Sequence, residues 1–586
     1  MCGIFALINP EVVSKQLLDE ARKLFMKGSS RGPDNSNFDS LNGTLRCIIG
    51  FHRLAINGLN KKSNQPFYID NTVLLCNGEI YNSDELCRKY NIKQNSDSDC
   101  ECIIHLYRKF GFNKMLELID GVFAMILIDY NDISYPTMYV SRDPFGVRPL
   151  YIGTTYKSDS MVISSVMKQI DRHLYNIKQF EPGTWSKYNL NPYDNTWKLE
   201  TTQKYYEIIS NSTKLLQNNK NIDLDEEIYN YCGKVYNSLC SAVKKRVKCT
   251  DRPIACLLSG GLDSSLITAL VCKYYQTETQ QLETFSIGMK GSEDLVYARK
   301  VAEHLKTKHH EIVLTEKDFL ETIPKVVYET ETYDTTTIRA SVGNYLVANY
   351  IKNNSNAKVI FNGDGSDEVT GGYLYFHHAP SYEEFNTECV RLLKEISYFD
   401  VLRSDRCISS NGLEARTPFL DTNFVNEYLS IPLDIRFRSK FNKFGERCEK
   451  FLLRDAIEKM NPYLLPKSVL WRTKEAFSDG VSKHTRSWHE IIKEYTLKIM
   501  NNTNEQIITP EKYKLRYEHY KINTPETIEQ YYYRVLYNKY FCDNGGKNII
   551  PHFWMPRFIE ANDASARTLN IYKTSNENKN IVKDYF

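Results

Sequence analysis

At 586 residues the chain exceeds what a single hydrophobic core supports, and the usual domain sizes suggest two or three. Its 42% hydrophobic and 25% charged residues are ordinary for a soluble globular protein, and a formal net charge of +3 gives no footprint for nucleic acid or a membrane surface. No apolar run is long enough for a bilayer and no basic-then-apolar leader is present, while 15 scattered cysteines without a Cys-x-x-Cys pair argue against a disulfide framework and for a reducing, cytoplasmic setting.

The chain starts Met1-Cys2-Gly3-Ile4-Phe5-Ala6. A small second residue favours removal of the initiator Met, which leaves Cys2 with a free α-amine. That amine, with an ordinary pKa of about 7.7–8, can act as base for its own thiol. A buried cysteine at the start of an edge strand is the competing reading. Arg53-Leu54-Ala55-Ile56-Asn57 then offers a fixed cation at a strand end, suited to gripping a carboxylate. After a strand at Val73–Cys76, Asn77-Gly78-Glu79 supplies a side-chain amide and a glycine N–H for an oxyanion hole. Asp99 precedes a helix at Glu101–Phe110, and is either its N-cap or a partner for an ammonium group. Strand-rich alternation with Gly and Pro turns predicts sheets packed face to face over the first ~190 residues.

Residues 189–225 are polar, with Asn191-Pro192 and Asp194-Asn195, and read as a linker with a strand-like part around Trp197. A helix pattern from Ile228 to Val247 leads to Ile254-Ala255-Cys256-Leu257-Leu258-Ser259-Gly260-Gly261-Leu262-Asp263-Ser264-Ser265. This is a strand, a tight turn and a helix N-terminus, whose unpaired N–H groups and dipole suit phosphate. The glycines let the backbone close on a ligand, and Asp263 is placed to hold a magnesium ion bridging phosphates. A Walker A loop is excluded, since no Gly-Lys-Ser/Thr follows at the required spacing.

Alternating strands (Leu282–Ile287, Glu311–Leu314, Lys358–Phe361) and helices (Asp294–Leu305, Ser341–Ile351) predict a doubly wound parallel sheet with its ligand beyond the strand C-termini. The loop Asn362-Gly363-Asp364-Gly365-Ser366-Asp367-Glu368 falls there, and three carboxylates in it call for a cation or raised pKa values. His309-His310 and His377-His378 read as structural, and Cys100-Glu101-Cys102 has the wrong spacing for a closed zinc site.

Ser-Gly-Gly-Leu-Asp-Ser resembles the pyrophosphate loop of the ATP pyrophosphatases. Together with the N-terminal motifs it makes nearly the whole chain resemble the glutamine-hydrolysing asparagine synthetases, with a tail (Phe553-Trp554-Met555-Pro556, Asp563–Thr568) closest to the animal type. The resemblance implies an αββα amidotransferase domain of the N-terminal-nucleophile kind over 2–188, the linker 189–225, a synthetase domain over 226–550 and a tail over 551–586. It implies Cys2 as nucleophile, Asn77 and Gly78 as oxyanion donors, and a glutamine pocket of Arg53–Asn57, Glu79 and Asp99, with Arg53 on the carboxylate and Asp99 on the amino group. ATP would meet Leu257 and Ile287 at the adenine, and Ser259, Gly260, Gly261, Asp263, Ser264, Ser265, Asn362, Gly363 and Lys474 at the phosphates. Mg2+ would sit on Asp263 and Asp367. Thr336 and Arg339 would place an aspartyl adenylate.

Asp364 replaces the family's Glu in Ser-Gly-Glu-Gly and is shorter by roughly 1.5 Å. Asn362 replaces the Ser and is expected to press the turn toward the nucleotide. Aspartate, glutamine and ATP are the partners implied, with a homodimer as the assembly entertained. Two rivals stand beside this reading. One is a ring-closing synthetase of the β-lactam type, in which the N-terminal Cys is characteristically lost; the other is a catalytically dead relative.

Overall fold

The computed structural model describes residues 1–10, 14–41, 45–132, 134–155, 160–170, 176–213, 224–437, 448–483, 485–502, 522–541, 546, 549–561, 563–565 and 567. Among the described residues the N-terminal part builds two six-stranded antiparallel sheets, and the C-terminal part a five-stranded parallel one.

Both faces of the N-terminal strands are apolar because both are covered. In the strand Thr72–Ile80, Val73 and Leu75 pack on the facing sheet with Ile4, Ala6, Ile49 and Phe51. Leu74 and Cys76 point the other way, onto Ile103, Ile104, Leu106 and Met115 of the helical layer. On the opposite side, Phe5 and Ile48 meet Ala21 and Phe25 of the helix Lys15–Met26. Period-two alternation between two apolar environments therefore yields the expected helix–sheet–sheet–helix stack.

The second sheet does not end where a linker was expected. Thr196–Lys204 lies within the 189–225 stretch, yet it pairs antiparallel with Thr184–Asn191 as an edge strand. Trp197 is buried and donates its indole N–H to Leu45 O at 2.7 Å, which anchors the strand despite its polar neighbours.

In the C-terminal part the strand order is Lys308–Leu314, Glu283–Met289, Ile254–Leu257, Val359–Phe361, Glu414–Arg416. Alternation again feeds two cores, with Ile254, Cys256, Val359 and Phe361 on one face and Ala255 and Ile360 on the other. His309 and His310 lie inside the first of these strands rather than before it. His309 is held between Thr284 Oγ1 (2.9 Å) and Ser286 Oγ (3.0 Å), as a structural histidine would be. The order in which successive strands are added reverses between the parallel strands Ile254–Leu257 and Val359–Phe361, so the loops after these two strands flank the crevice where α/β sheets take ligands.

The tail is not a loose extension. Asp563 pairs with Arg339 and Ser565 donates to Asp479, so described residues beyond 551 dock on the C-terminal part. No described helix is long and apolar enough to cross a membrane.

Candidate active sites

The first site forms where the strands Gly3–Ile8, Cys47–Arg53 and Thr72–Ile80 end together. The third strand is longer than predicted and runs through Asn77-Gly78-Glu79. Strand alternation then places the Asn77 and Glu79 side chains on one face. Between them Gly78 is held against the next strand, where an added Cβ would lie 2.4 Å from Val122 O.

Cys2 N donates to Asn77 Oδ1 (3.0 Å), Arg31 Nε donates to Cys2 O (2.8 Å), and Cys2 Sγ lies 3.7 Å from Leu54 O. Burial pushes the Cys2 thiol up to about 11. Met1, ahead of Cys2, is buried, with its amine on Leu413 O at 3.2 Å. Asn77 Nδ2 is buried without a partner, the state expected of a donor that a substrate oxygen satisfies.

Asn57 Nδ2 donates to Glu79 Oε2 (2.6 Å) and Asp99 Oδ1 (3.3 Å) and lies 3.4 Å from Cys249 Sγ. Carboxylate oxygens of Glu79 and Asp99 and the sulfur of Cys249 fall within 4.8 Å of one another, an acceptor-rich corner suited to an ammonium group. Asp99 is not a helix cap, since Ser98 caps the short turn that precedes Cys102–Phe110. Its Oδ2 instead accepts from Ile80 N at 2.6 Å, and burial raises its pKa to about 6. Burial and the neighbouring Glu414 and Asp99 carboxylates push Glu79 upward as well, against the pull of Arg416. Arg53 holds the Asn57–Asn64 loop, donating to Asn57 O (3.0 Å), Gly58 O, Asn60 O (3.1 Å) and Asn64 Oδ1 (2.8 Å). Its charge is present, and most of its fork is already engaged.

The second site is the crevice where the strand order reverses. It is lined by Leu257, Phe285, Ile287 and Val347 on its apolar side, and by Ser259, Gly261, Asp263, Ser264, Thr336, Asn362, Gly363, Asp364, Asp367 and Lys474 on its polar side. The two loops touch: a Cβ on Gly363 would lie 2.8 Å from Ser264 N, and Ser366 Oγ donates to Asp263 Oδ1 at 2.8 Å. Gly260 adopts φ +75° and backs onto Ala298 N, where a Cβ would come to 2.4 Å. Only glycine allows that turn.

The structure sets beside the expected Lys474 a second cation, Lys450, that the sequence reading missed. Lys450 Nζ bridges Asp263 Oδ2 and Asp367 Oδ1 at 2.6 Å each, and Lys474 Nζ holds Asp367 Oδ2 at 2.5 Å. These lysines keep the Asp367 carboxyl well below its ordinary range. Lys450 stands at the left-handed φ of 58°, and Gly372 leaves it room, since a Cβ there would lie 1.9 Å from Lys450 Cε. Its motif is unremarkable in sequence; only the fold brings it 187 positions back onto Asp263. Asp364 Oδ1 accepts from Arg403 Nη2 at 2.7 Å, and Tyr373 O–H donates to Glu368 Oε1 at 2.5 Å.

Gly260, Ser265 and Arg339 lie outside this lining, and Asn362 lies in it with its side chain turned away. Ser265 is fully buried behind the loop, because its helix turns it into the core. Arg339 is absent from the lining and is neutralised by Glu529 (2.6 Å) and Asp563 (2.7 Å), so it clamps the tail rather than facing a substrate. The Asn362 side chain turns to Ser404 Oγ (2.6 Å) and does not press on the nucleotide side.

Residues 1–223 match the family described as glutamine amidotransferase domain, and residues 234–387 and 378–530 match asparagine synthase. The glutamine-hydrolysing asparagine synthetase of Mus musculus is 39% identical over 593 residues, covering 98% of this chain and all of the relative. That of Homo sapiens is 38% identical over 586 residues with the same coverage. Among solved structures, the allosteric regulatory enzyme of purine biosynthesis aligns over 53% of this chain and 80% of its own at 14% identity and TM-score 0.30.

Proposed function

Because the chain belongs to the glutamine-hydrolysing asparagine synthetases, we propose that its two sites divide the reaction as follows. The enzyme makes asparagine from aspartate, ATP and the amide nitrogen of glutamine. Removal of Met1 turns the Cys2 nitrogen into an amine, which takes the thiol proton. The thiolate attacks the glutamine side-chain carbonyl, Asn77 Nδ2 and the Gly78 region receive the developing oxyanion, and ammonia leaves with that proton. Water then hydrolyses the thioester to glutamate. Asp99 and Glu79 take the substrate ammonium, and Arg53 supplies positive charge for its carboxylate.

In the crevice, ATP lies with adenine on Leu257 and Ile287 and its phosphates on the Ser259–Ser264 turn. The β-carboxylate of aspartate attacks the α-phosphorus, pyrophosphate leaves, and ammonia displaces AMP from the acyl carbon. Thr336 faces this space; Asp364 is our candidate for the proton handling around the attacking ammonia. Asp263 and Asp367 present carboxylate oxygens from two loops to one point, a donor set that fits Mg2+. When bound, the ion would neutralise pyrophosphate charge, leaving Lys450 and Lys474 to turn toward phosphate oxygens. Ammonia must cross between sites without exposure to water, where it would be protonated.

The reading places the amidotransferase part at about residues 2–204 and the synthetase part from 224. A cytoplasmic setting fits the free cysteines among the described residues. A homodimer is the assembly we expect, and sedimentation velocity tests it.

One observation carries the proposal: the Ser-Gly-Gly-Leu-Asp-Ser turn meets the acidic loop where the strand order reverses, in a chain that also half-buries Cys2 beside the unpartnered amide nitrogen of Asn77. Incubation with aspartate, glutamine and ATP should yield asparagine, glutamate, AMP and pyrophosphate in equal amounts. Cys2→Ala should lose the glutamine-dependent reaction and keep the ammonia-dependent one. ADP and orthophosphate as products would refute it.

A further inference from the structure

The glutamine pocket is not completed by its own domain. Its Arg53–Gly58 loop is docked on the segment Cys249–Arg252: Asp251 Oδ2 accepts from Gly58 N (2.8 Å), Asp251 N donates to Ile56 O (2.9 Å), and Arg252 Nε donates to Ala55 O (2.8 Å). That segment runs directly into the strand Ile254–Leu257 and the phosphate turn.

A second contact is more specific. Arg416, fully buried on the edge strand Glu414–Arg416, extends its side chain into the N-terminal part, with Nη2 3.2 Å from Glu79 Oε2. Its Nε donates to Glu414 Oε1 at 2.9 Å, and its Nη1 donates to Arg246 O. The same residue's carbonyl accepts from Asn362 N at 3.1 Å, the first residue of the acidic loop, and the residue pairs with Phe361 in the sheet. One residue thus has its charge in the first site and its main chain on the second.

The surroundings say why the charge is needed. Glu79 and Asp99 share a buried corner, with Glu414 nearby. The groups facing Glu79 are Asn57, Asp99, Cys249, Glu414, Arg148 and Arg416. Of the two arginines, Arg416 is the one that touches it. Without that guanidinium, Glu79 keeps its carboxylate neighbours and loses the cation against it, so its already raised pKa is pushed further up and its carboxyl is free to move. Either change takes Asn57 Nδ2 with it, because Asn57 is held at 2.6 Å by the same oxygen, Oε2.

We propose that Arg416 is a positioning residue for glutamine, acting through Glu79, and that its main-chain bond to Asn362 ties glutamine affinity to the state of the nucleotide crevice. This rests on the function assigned above. The coupling requires no moving domain: an equilibrium shift of the acidic loop on filling the crevice is felt at the Arg416 carbonyl, and linkage makes the effect reciprocal.

The experiment uses the full-length chain and Arg416→Gln, with Arg416→Lys as the conservative variant. Arg416→Gln should raise the KM for glutamine about tenfold or more with a smaller fall in kcat, and Arg416→Lys should recover part of it. Ammonia-dependent synthesis, which bypasses the pocket, reports whether the variant is folded. If Arg416 acts through Glu79, then Glu79→Gln/Arg416→Gln should be no worse for KM than the more impaired single variant. On the Cys2→Ala background, where glutamine binds without turnover, ATP with aspartate should change the glutamine Kd about fivefold or more. Arg416→Gln should abolish that change.

An unchanged KM in Arg416→Gln, additive effects in the double variant, or a nucleotide effect that is absent in the parent or survives in Arg416→Gln would overturn the proposal. A parent that makes asparagine from glutamine while showing any of these leaves the function standing. A parent that makes none fails at the function itself.

Discussion

Asp99 is a carboxylate whose environment sets its working range. Its pKa is raised to about 6 by burial, against the hydrogen bonds from Ile80 N and Asn57. An ammonium ligand needs it ionised. Glutamine affinity should therefore be full above about pH 7 and fall as pH drops through 6, by up to about tenfold per unit. Glu79 is shifted in the same direction, so it does not offset the loss. Titrating glutamine into the Cys2→Ala variant across pH 5–8 checks this; affinity that is flat across that span rules Asp99 out as the ammonium partner.

Asp364 makes the second residue-scale test. Its shorter side chain does not hang free, because Arg403 Nη2 binds it at 2.7 Å while also holding Asp400 at 2.6 Å. The loop is thus pinned from the helix Asp400–Ser409, and Asn362 contributes through Ser404 on the same helix. Asp364→Asn should lower asparagine synthesis about a hundredfold or more and leave glutamine hydrolysis intact, with Asp364→Glu retaining part of the rate. Full synthesis by Asp364→Asn would move the role to another carboxylate of the loop, Asp367 or Glu368.

At the scale of the element, what was legible in the sequence was whatever local chemistry enforces. The strand–turn–helix at Ile254–Ser265 follows from an apolar run, two glycines and a helix start, and it forms as expected. The strand Thr72–Ile80 outran its expected end because Asn77-Gly78-Glu79 breaks the apolar pattern. Its register with Gly121–Asp129 holds those polar residues in the ladder all the same. Thr196–Lys204 was read mainly as linker for the same reason: an edge strand exposes one face, and little but Trp197 signals it.

Lys450 was illegible for a different reason. It acts across 187 positions, and only its left-handed backbone and the space left by Gly372 deliver it. Gly372→Ala would place a Cβ 1.9 Å from Lys450 Cε and 2.3 Å from Asp367 Oδ1. The variant should lose ATP-dependent synthesis by about tenfold or more while glutamine hydrolysis stays near the parent rate, since displacing a charge-paired lysine removes interactions of about 1.5–3 kcal/mol. Equal loss of both activities would mean that the substitution unfolds the chain instead.

At the scale of the whole molecule, two catalytic parts share one set of buried charges. Arg31, on the short turn Ser29–Arg31, forms a two-pronged pair with Asp405 of the C-terminal part (2.8 and 2.9 Å), and its Nε simultaneously holds Cys2 O at 2.8 Å. Both partners are 2% exposed. A charge buried that deeply has no water to fall back on, so removing one member leaves the other uncompensated. Asp405→Ala should therefore destabilise the protein by about 3–5 kcal/mol and lower its thermal midpoint. Arg31, released from its carboxylate, should also loosen its grip on the Cys2 carbonyl. Glutamine hydrolysis should thus fall more than ammonia-dependent synthesis, although Asp405 lies in the synthetase part and touches no glutamine. Equal activities in a destabilised Asp405→Ala would show that the pair holds the two parts together without orienting Cys2. An unshifted midpoint would show that the pair contributes nothing to stability.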